Sequence, residues 1–146
     1  MELSITINPN FEKDRCFIEA TAHSKQIEQI THILNEEHPH LLIAEDSKGT
    51  IPLALSDIYY CFSENKLVYA QTAKQAYEVK YKLYELEDRL SAHSFIRISK
   101  SAIANIQKID YITLAFNSTM TVHFKNEMRE QITRSYLKKV KQYLGM

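Results

Sequence analysis

Arg97, Lys100 and Arg134 each stand close to short hydroxyl residues. Ser99 and Ser101 flank Lys100, and Thr133 and Ser135 flank Arg134. A cation among small O–H donors suits phosphate oxygens: the charge attracts and the hydroxyls orient. Three uses are open to Arg134. It can anchor a phosphate at the first turn of a helix, where backbone N–H groups and the positive dipole end also favour an anion. It can hold a guanine edge through its planar fork. It can also pair with an acid such as Glu130, although exposed ion pairs contribute little. Lys100 is either a phosphate contact or a solvated loop lysine. Arg97 alternates with Ile96 and Ile98, so its side chain leaves the face that those two share.

Charge along the chain agrees with this chemistry. The total is neutral, with 18 basic and 18 acidic residues. Residues 95–146 hold nine Lys/Arg against three acids, a balance of +6, which leaves −6 on residues 1–94. A basic end on a neutral chain fits a polyanion, and nucleic acid is the commonest one. A solvated basic surface without a partner gives the same count.

Other chemistries find less support. Only two glycines occur, Gly49 and Gly145, so no Gly-rich phosphate loop exists. No nucleophile elbow and no zinc spacing is present, and the chain does not read as an enzyme. His32, His38 and His40 fit a helix end and turn better than a metal site. Asp46-Ser47, after the apolar Leu41–Ala44, offers a weak phosphoacceptor pattern on a chain too short to hold a receiver domain as well. Cys16 and Cys61 read as two buried thiols, with a single disulfide left open. No cofactor, metal or small-molecule substrate is expected. No apolar run reaches the roughly 20 residues of a membrane span, and the N-terminus lacks signal-peptide character. A cytoplasmic location is expected.

The elements that must position these residues are mostly strands. Leu3–Ile7 alternates apolar and polar, and Cys16–Ala20 reads as a second strand. Ser24 caps a helix of about residues 25–36, with Ile27, Ile30 and Leu34 on one face. Short strands follow at His40–Ala44, Thr50–Leu55, Ile58–Phe62 and Leu67–Gln71, with turns at Asp46–Gly49 and Ser63–Lys66. Val79, Leu83, Leu86 and Leu90 predict a helix over roughly 76–90, from which Tyr77, Tyr81 and Tyr84 half-cover the core. Phe95–Ile98 is strand-like, and Ser99–Asn105 reads as a polar connection. Ile109–Ala115 and Thr119–Phe124 form a hairpin about Asn117-Ser118. Glu130–Ile132 leads to a last helix, capped by Thr133 or Ser135. Leu137, Val140 and Leu144 face inward there, and Lys138, Lys139 and Lys141 face out. The fold class is mostly β with α (α+β).

From Thr50 onward the chain resembles the LytTR family of bacterial DNA-binding domains. Four pieces carry the resemblance. They are Ile51-Pro52-Leu53 with Asp57-Ile58-Tyr59-Tyr60; Leu83–Leu90; Phe95–Ser101 with Ile103-Ala104-Asn105 and Ile109; and Ile132–Tyr136. The resemblance implies an elongated LytTR-type β domain with two to three helices, covering 49–146. A small β-β-α extension at 1–48 precedes it. It implies contacts to successive major grooves of double-stranded DNA from inter-strand loops. Carried over by motif, the contacting positions are Asn65 and Lys66; Arg97, Ser99, Lys100 and Ser101; and Arg134. The first turn departs from members with a more basic or His-containing loop, since Glu64 and Asn65 stand there.

The function expected is that of a sequence-specific transcriptional regulator, similar to a response regulator's output domain. It would bind direct repeats as a homodimer, at least on DNA. Stand-alone members of this size imply an inhibitory membrane-protein partner. The alternative is a protein-interaction module whose basic C-terminal face takes an acidic partner.

Overall fold

The computed structural model describes residues 8–10, 17–35 and 40–146. By contacts the chain divides into two units, residues 1–35 and 36–146.

The first unit holds helix α1 (Lys25–Asn35). Ser24 starts it: its Oγ accepts from the Ile27 N–H at 3.3 Å and its carbonyl from the Glu28 N–H at 3.0 Å. That satisfies orphan donors of the first turn, as the cap reading requires. Ile27 and Ile30 are half-buried, while the side chain of Leu34 lies outside the described residues. The strand expected at Leu3–Ile7 lies outside them too. Phe17–Ala20, expected in a second strand, are exposed and belong to no strand. Among the described residues nothing buries one face of that apolar run, and apolarity alone does not make a strand.

Among its described residues the second unit contains ten strands: β1 (Leu41–Asp46), β2 (Gly49–Ala54), β3 (Ile58–Glu64), β4 (Leu67–Thr72), β5 (Ala76–Val79), β6 (Phe95–Ser99), β7 (Ala102–Asn105), β8 (Ile109–Leu114), β9 (Met120–Phe124) and β10 (Arg129–Ile132). Helix α2 (Leu83–Leu90) lies between β5 and β6, and α3 (Arg134–Leu144) follows β10. Seven strands form an antiparallel sheet in the order β2-β1-β5-β4-β3-β7-β6. The other three form the antiparallel sheet β10-β9-β8. Residue 48 lies in the tight turn of the β1–β2 hairpin, where Asp46 Oδ1 accepts from the Lys48 N–H at 2.7 Å.

Two cores occupy opposite faces. Leu42, Ile58, Cys61, Val79, Leu83, Leu86, Leu90, Phe95 and Ile103 pack together beneath α2. Tyr60, Ile96, Ile98, Ala102, Ala104, Val122, Phe124, Ile132 and Val140 join β3, β6 and β7 to the smaller sheet and α3. Strand alternation makes this division: Tyr60 and Cys61 point to different cores, as do Ala102 and Ile103.

Two expectations are corrected. The helix predicted from residue 76 begins at Leu83, and Ala76–Val79 is instead strand β5 between β4 and β1. Val79 lies at helical spacing from Leu83, but it reaches the same core from the sheet. Lys82 precedes α2 without a side-chain capping bond, so no Ser, Thr, Asp or Asn marks that start. The polar connection expected over Ser99–Asn105 is largely strand β7, buried at all four positions. Both its faces are covered, so it shows no apolar/polar alternation.

Candidate nucleic-acid interface

Three of the expected contact segments meet at one end of the larger sheet. The β3–β4 hairpin turns at Asn65 and Lys66, with φ of 51° and 66°. Left-handed angles at both central positions match the right-handed twist of a hairpin. Glycine suits such angles best, so a lysine there is held against its steric preference, and its side chain is exposed. Next to this turn lies the β6–β7 turn, because the Ser63 N–H donates to the Ser101 carbonyl at 2.9 Å. The start of α3 joins them: the Thr133 N–H donates to the Ile98 carbonyl at 3.0 Å. Thr133 takes the N-cap position without a side-chain capping bond, and Arg134 is the first helical residue.

The β6–β7 turn is organised by hydroxyls and one arginine. Ser99 is buried, and its Oγ accepts from the Ser101 N–H at 3.2 Å and lies 3.3 Å from Ser101 Oγ. Lys100 is exposed at the tip. Arg97 serves the turn from within. Its side chain is 12% exposed, with Nε 2.6 Å from the Ser99 carbonyl, Nη2 2.5 Å from the Lys100 carbonyl and Nη1 2.8 Å from Glu87 Oε2. Its guanidinium is thus engaged by protein acceptors.

Arg134 differs. It is exposed, and its Nε donates to the Asn117 carbonyl at 2.9 Å. Among the described residues Nη1 and Nη2 have no partner, so the outer edge of the fork faces solvent. The ion pair with Glu130 weighed for it is absent among the described residues.

Between the β6–β7 turn and β10 lies an open polar cleft of about 500 Å³. Ser99, Ser101, Thr121, Arg129, Glu130, Gln131 and Thr133 line it. Of these, only Ser99 and Ser101 are expected from the motifs. Arg129 and Gln131 alternate with Glu130 and the buried Ile132 along β10, with Thr133 next in the same alternation, and that period-two pattern is the signal that could have found them. Glu130 is the one acid in the lining. Burial holds its carboxyl above the ordinary value, and a hydrogen bond from the Gln131 backbone partly offsets this.

The rest of the basic segment is dispersed. Lys108 Nζ sits over the Tyr59 ring, 5.2 Å from its centroid, and Lys125 Nζ donates to the Gln107 carbonyl at 3.1 Å. Both belong to the open end of the β8–β9 hairpin, opposite its turn at Asn117. Lys138, Lys139 and Lys141 are exposed on α3.

Burial pushes the Cys61 thiol up to about 12, so it stays protonated and unreactive at neutral pH. Cys16, His38 and the His32 side chain lie outside the described residues, and the His40 and His93 rings are 4.3 Å apart. Among the described residues no cluster of three potential metal ligands occurs, and no helix is long and apolar enough to cross a membrane.

Comparison with known proteins gives a consistent result. The profile of the LytTr DNA-binding domain matches residues 48–145. A protein of Staphylococcus aureus strain NCTC 8325 / PS 47, named as an uncharacterized HTH-type transcriptional regulator, is 32% identical over 100% of this chain and 99% of its own length. A counterpart of the same description in strain MRSA252 is 31% identical over the same shares. Those names speak of a helix-turn-helix. Here, among the described residues, no two α-helices follow one another in element order, and five strands separate α2 from α3. Among solved structures, a LytTr DNA-binding domain from Bacillus cereus superposes with a TM-score of 0.71. It is 28% identical, covering 75% of this chain and 100% of that one. The match extends through the β6–β7 turn, β10 and the start of α3, and the chain belongs to the LytTr DNA-binding domain family.

Proposed function

We propose that this chain is a sequence-specific regulator of transcription that binds double-stranded DNA through the end of the larger sheet. Lys66, Lys100 and Arg134 are the leading contacts, one from each of three segments. Ser99 and Ser101 order the middle turn, and Asn65 shapes the first. The observation that carries the reading is the pair of backbone bonds from Ser63 to Ser101 and from Thr133 to Ile98. They bring segments far apart in sequence to one place, beside a cleft rich in hydroxyl and amide groups. Fixed cations supply affinity, and fixed donors at base edges supply choice. Arg134 is the chief candidate for reading a guanine, since its fork is anchored on one side and open on the other.

Arg97 belongs to the interface as its internal brace. Two copies of the chain on a direct repeat would give the homodimer its length of contact, each copy supplying one such end. A DNA-binding regulator of transcription acts in the cytoplasm of a bacterium.

The test is duplex binding across a salt series. With Lys66, Lys100, Arg129 and Arg134 on phosphates or bases, log affinity should fall linearly with log salt at about 0.9 per phosphate contact. A duplex enriched from a random pool should bind tighter than its scrambled counterpart. Binding indifferent to salt, or to sequence, would remove the reading and favour an acidic protein partner on the same face.

A further inference from the structure

We propose that Glu87, a residue of α2, is a positioning residue for DNA recognition: acting through Arg97, it fixes the shape of the turn that presents Lys100. The proposal rests on the DNA-binding reading above.

The ladder alone does not define this turn. Between Arg97 and Ser99 the β6–β7 register shifts, so Arg97 faces Ile103 while Ser99 faces Ala102. The break hands the next two peptide planes to side-chain partners. Arg97 supplies them, because its Nε and Nη2 donate to the carbonyls of Ser99 and Lys100. Those carbonyls precede and follow Lys100 N–Cα, so one planar fork sets the orientation of both peptides around the exposed lysine.

Glu87 holds the fork itself. An arginine side chain only 12% exposed needs a counter-charge, and among the described residues the Glu87 carboxylate, 2.8 Å away, is the acid that pairs with it. The strand alternation explains the approach: Arg97 shares the face of Phe95 and Ile103, the face covered by α2. The other Glu87 oxygen lies 3.4 Å from Lys139 Nζ on α3, whose first residue is Arg134. Lys139 is 65% exposed, so this second arm is weak beside the first.

Charge and position predict opposite signs, which makes the idea decidable. A carboxylate near a DNA-binding surface repels phosphate, so by charge alone its removal tightens binding to every duplex. By position, its removal frees Arg97 from its brace and loosens the Lys100 turn. Binding to the preferred sequence then weakens, while binding to other sequences does not.

The experiment uses the full chain, one duplex enriched from a random pool by the unaltered protein, and its scrambled counterpart. Glu87→Gln and Arg97→Lys should each lose about tenfold or more on the enriched duplex, the scale of a charged hydrogen bond. Glu87→Gln should hold or slightly gain on the scrambled one. Lys139→Ala should lose a little on both alike. Amide hydrogen exchange at Ser101 should quicken in the first two variants without DNA present. Melting curves check folding, and a Glu87→Gln protein that does not fold leaves Arg97→Lys and the exchange rate to decide. Enriched-duplex affinity unchanged or raised in Glu87→Gln, with Ser101 exchange unaltered, overturns the positioning role while leaving DNA binding intact. An unaltered protein that does not distinguish the two duplexes overturns the DNA reading, and this proposal with it.

Discussion

Arg134 Nε donates to the Asn117 main-chain carbonyl at 2.9 Å, which ties the first residue of α3 to the turn between β8 and β9. That turn bends through left-handed angles at Asn117 and Ser118, φ 69° and 58°. The bond fixes the plane of the guanidinium and leaves its outer edge open. A fork held this way loses little freedom on meeting a base. Arg134→Ala should therefore cost about 1–3 kcal/mol on the preferred duplex and flatten discrimination among sequences. Arg134→Lys should not restore it, because lysine lacks both the anchoring Nε and the fork. Lys139→Ala should weaken all duplexes slightly and equally. Equal losses for Arg134→Ala on preferred and scrambled duplexes would make Arg134 a phosphate anchor only.

Lys66 offers a trade between stability and binding. Its φ of 66° suits glycine, and the exposed lysine side chain meets no partner among the described residues. Lys66→Gly should relieve about 1 kcal/mol of backbone strain, partly offset by the freer unfolded chain. The same change should weaken DNA binding and reduce the salt slope by about one contact. A higher melting temperature with an unaltered slope would take Lys66 out of the interface.

The turns and the helix start that carry the proposed contacts are legible in the sequence, because each couples a cation to local turn or cap chemistry. The Asn65-Lys66 turn and the helix start at Arg134 could be placed by such neighbours, and the family resemblance proposes them as contacts. The support of Lys100 could not. Arg97 reads as an outward strand residue by alternation, and only α2 packing above it reveals that outward there means toward Glu87. The start of α2 was hidden for a related reason. Val79 mimics a helical position from the edge of a strand, and no capping residue marks Lys82. Strand β7 was hidden because Ala102 and Ala104 face one core and Ile103 the other. Burial on two faces erases the period that reveals a strand.

Asn105, at the end of that strand, should be among the more sensitive positions for stability. It is 2% exposed. Its Nδ2 donates to the Ile58 carbonyl at 2.8 Å and the Leu55 carbonyl at 3.4 Å, and its Oδ1 accepts from the Gln107 N–H at 3.1 Å. One amide thus satisfies backbone groups of the segment that enters β3 and of the turn that follows β7. Asn105→Ala leaves them unpaired and should lower unfolding free energy by about 2–3 kcal/mol. Asn105→Asp should be worse, since it loses the donor and buries a charge. Urea denaturation reads both, and an unmoved midpoint for Asn105→Ala would refute the assignment.

Glu130 should make both stability and DNA binding depend on pH in the weakly acidic range. Burial raises its carboxyl above the ordinary 4.5, so between that value and the raised one the folded chain holds a proton that the unfolded chain has released. Unfolding then releases that proton, so the contribution to stability falls as pH rises through the window and is least above it. Replacement by a neutral isostere removes this penalty. Glu130→Gln should be more stable than the unaltered chain at neutral pH, and the difference should shrink as pH falls toward 4.5. Binding should follow the same sign. Glu130 lines the cleft beside Ser99, Ser101 and Arg129, so its ionised form repels phosphate and its protonated form does not. Any other group that titrates in this range does so in both proteins. Subtracting one pH profile from the other isolates the carboxyl. Duplex affinity measured for the two chains across that range should converge at low pH and separate at neutral pH, with Glu130→Gln the tighter. Parallel profiles would show that the Glu130 carboxylate does not face the DNA.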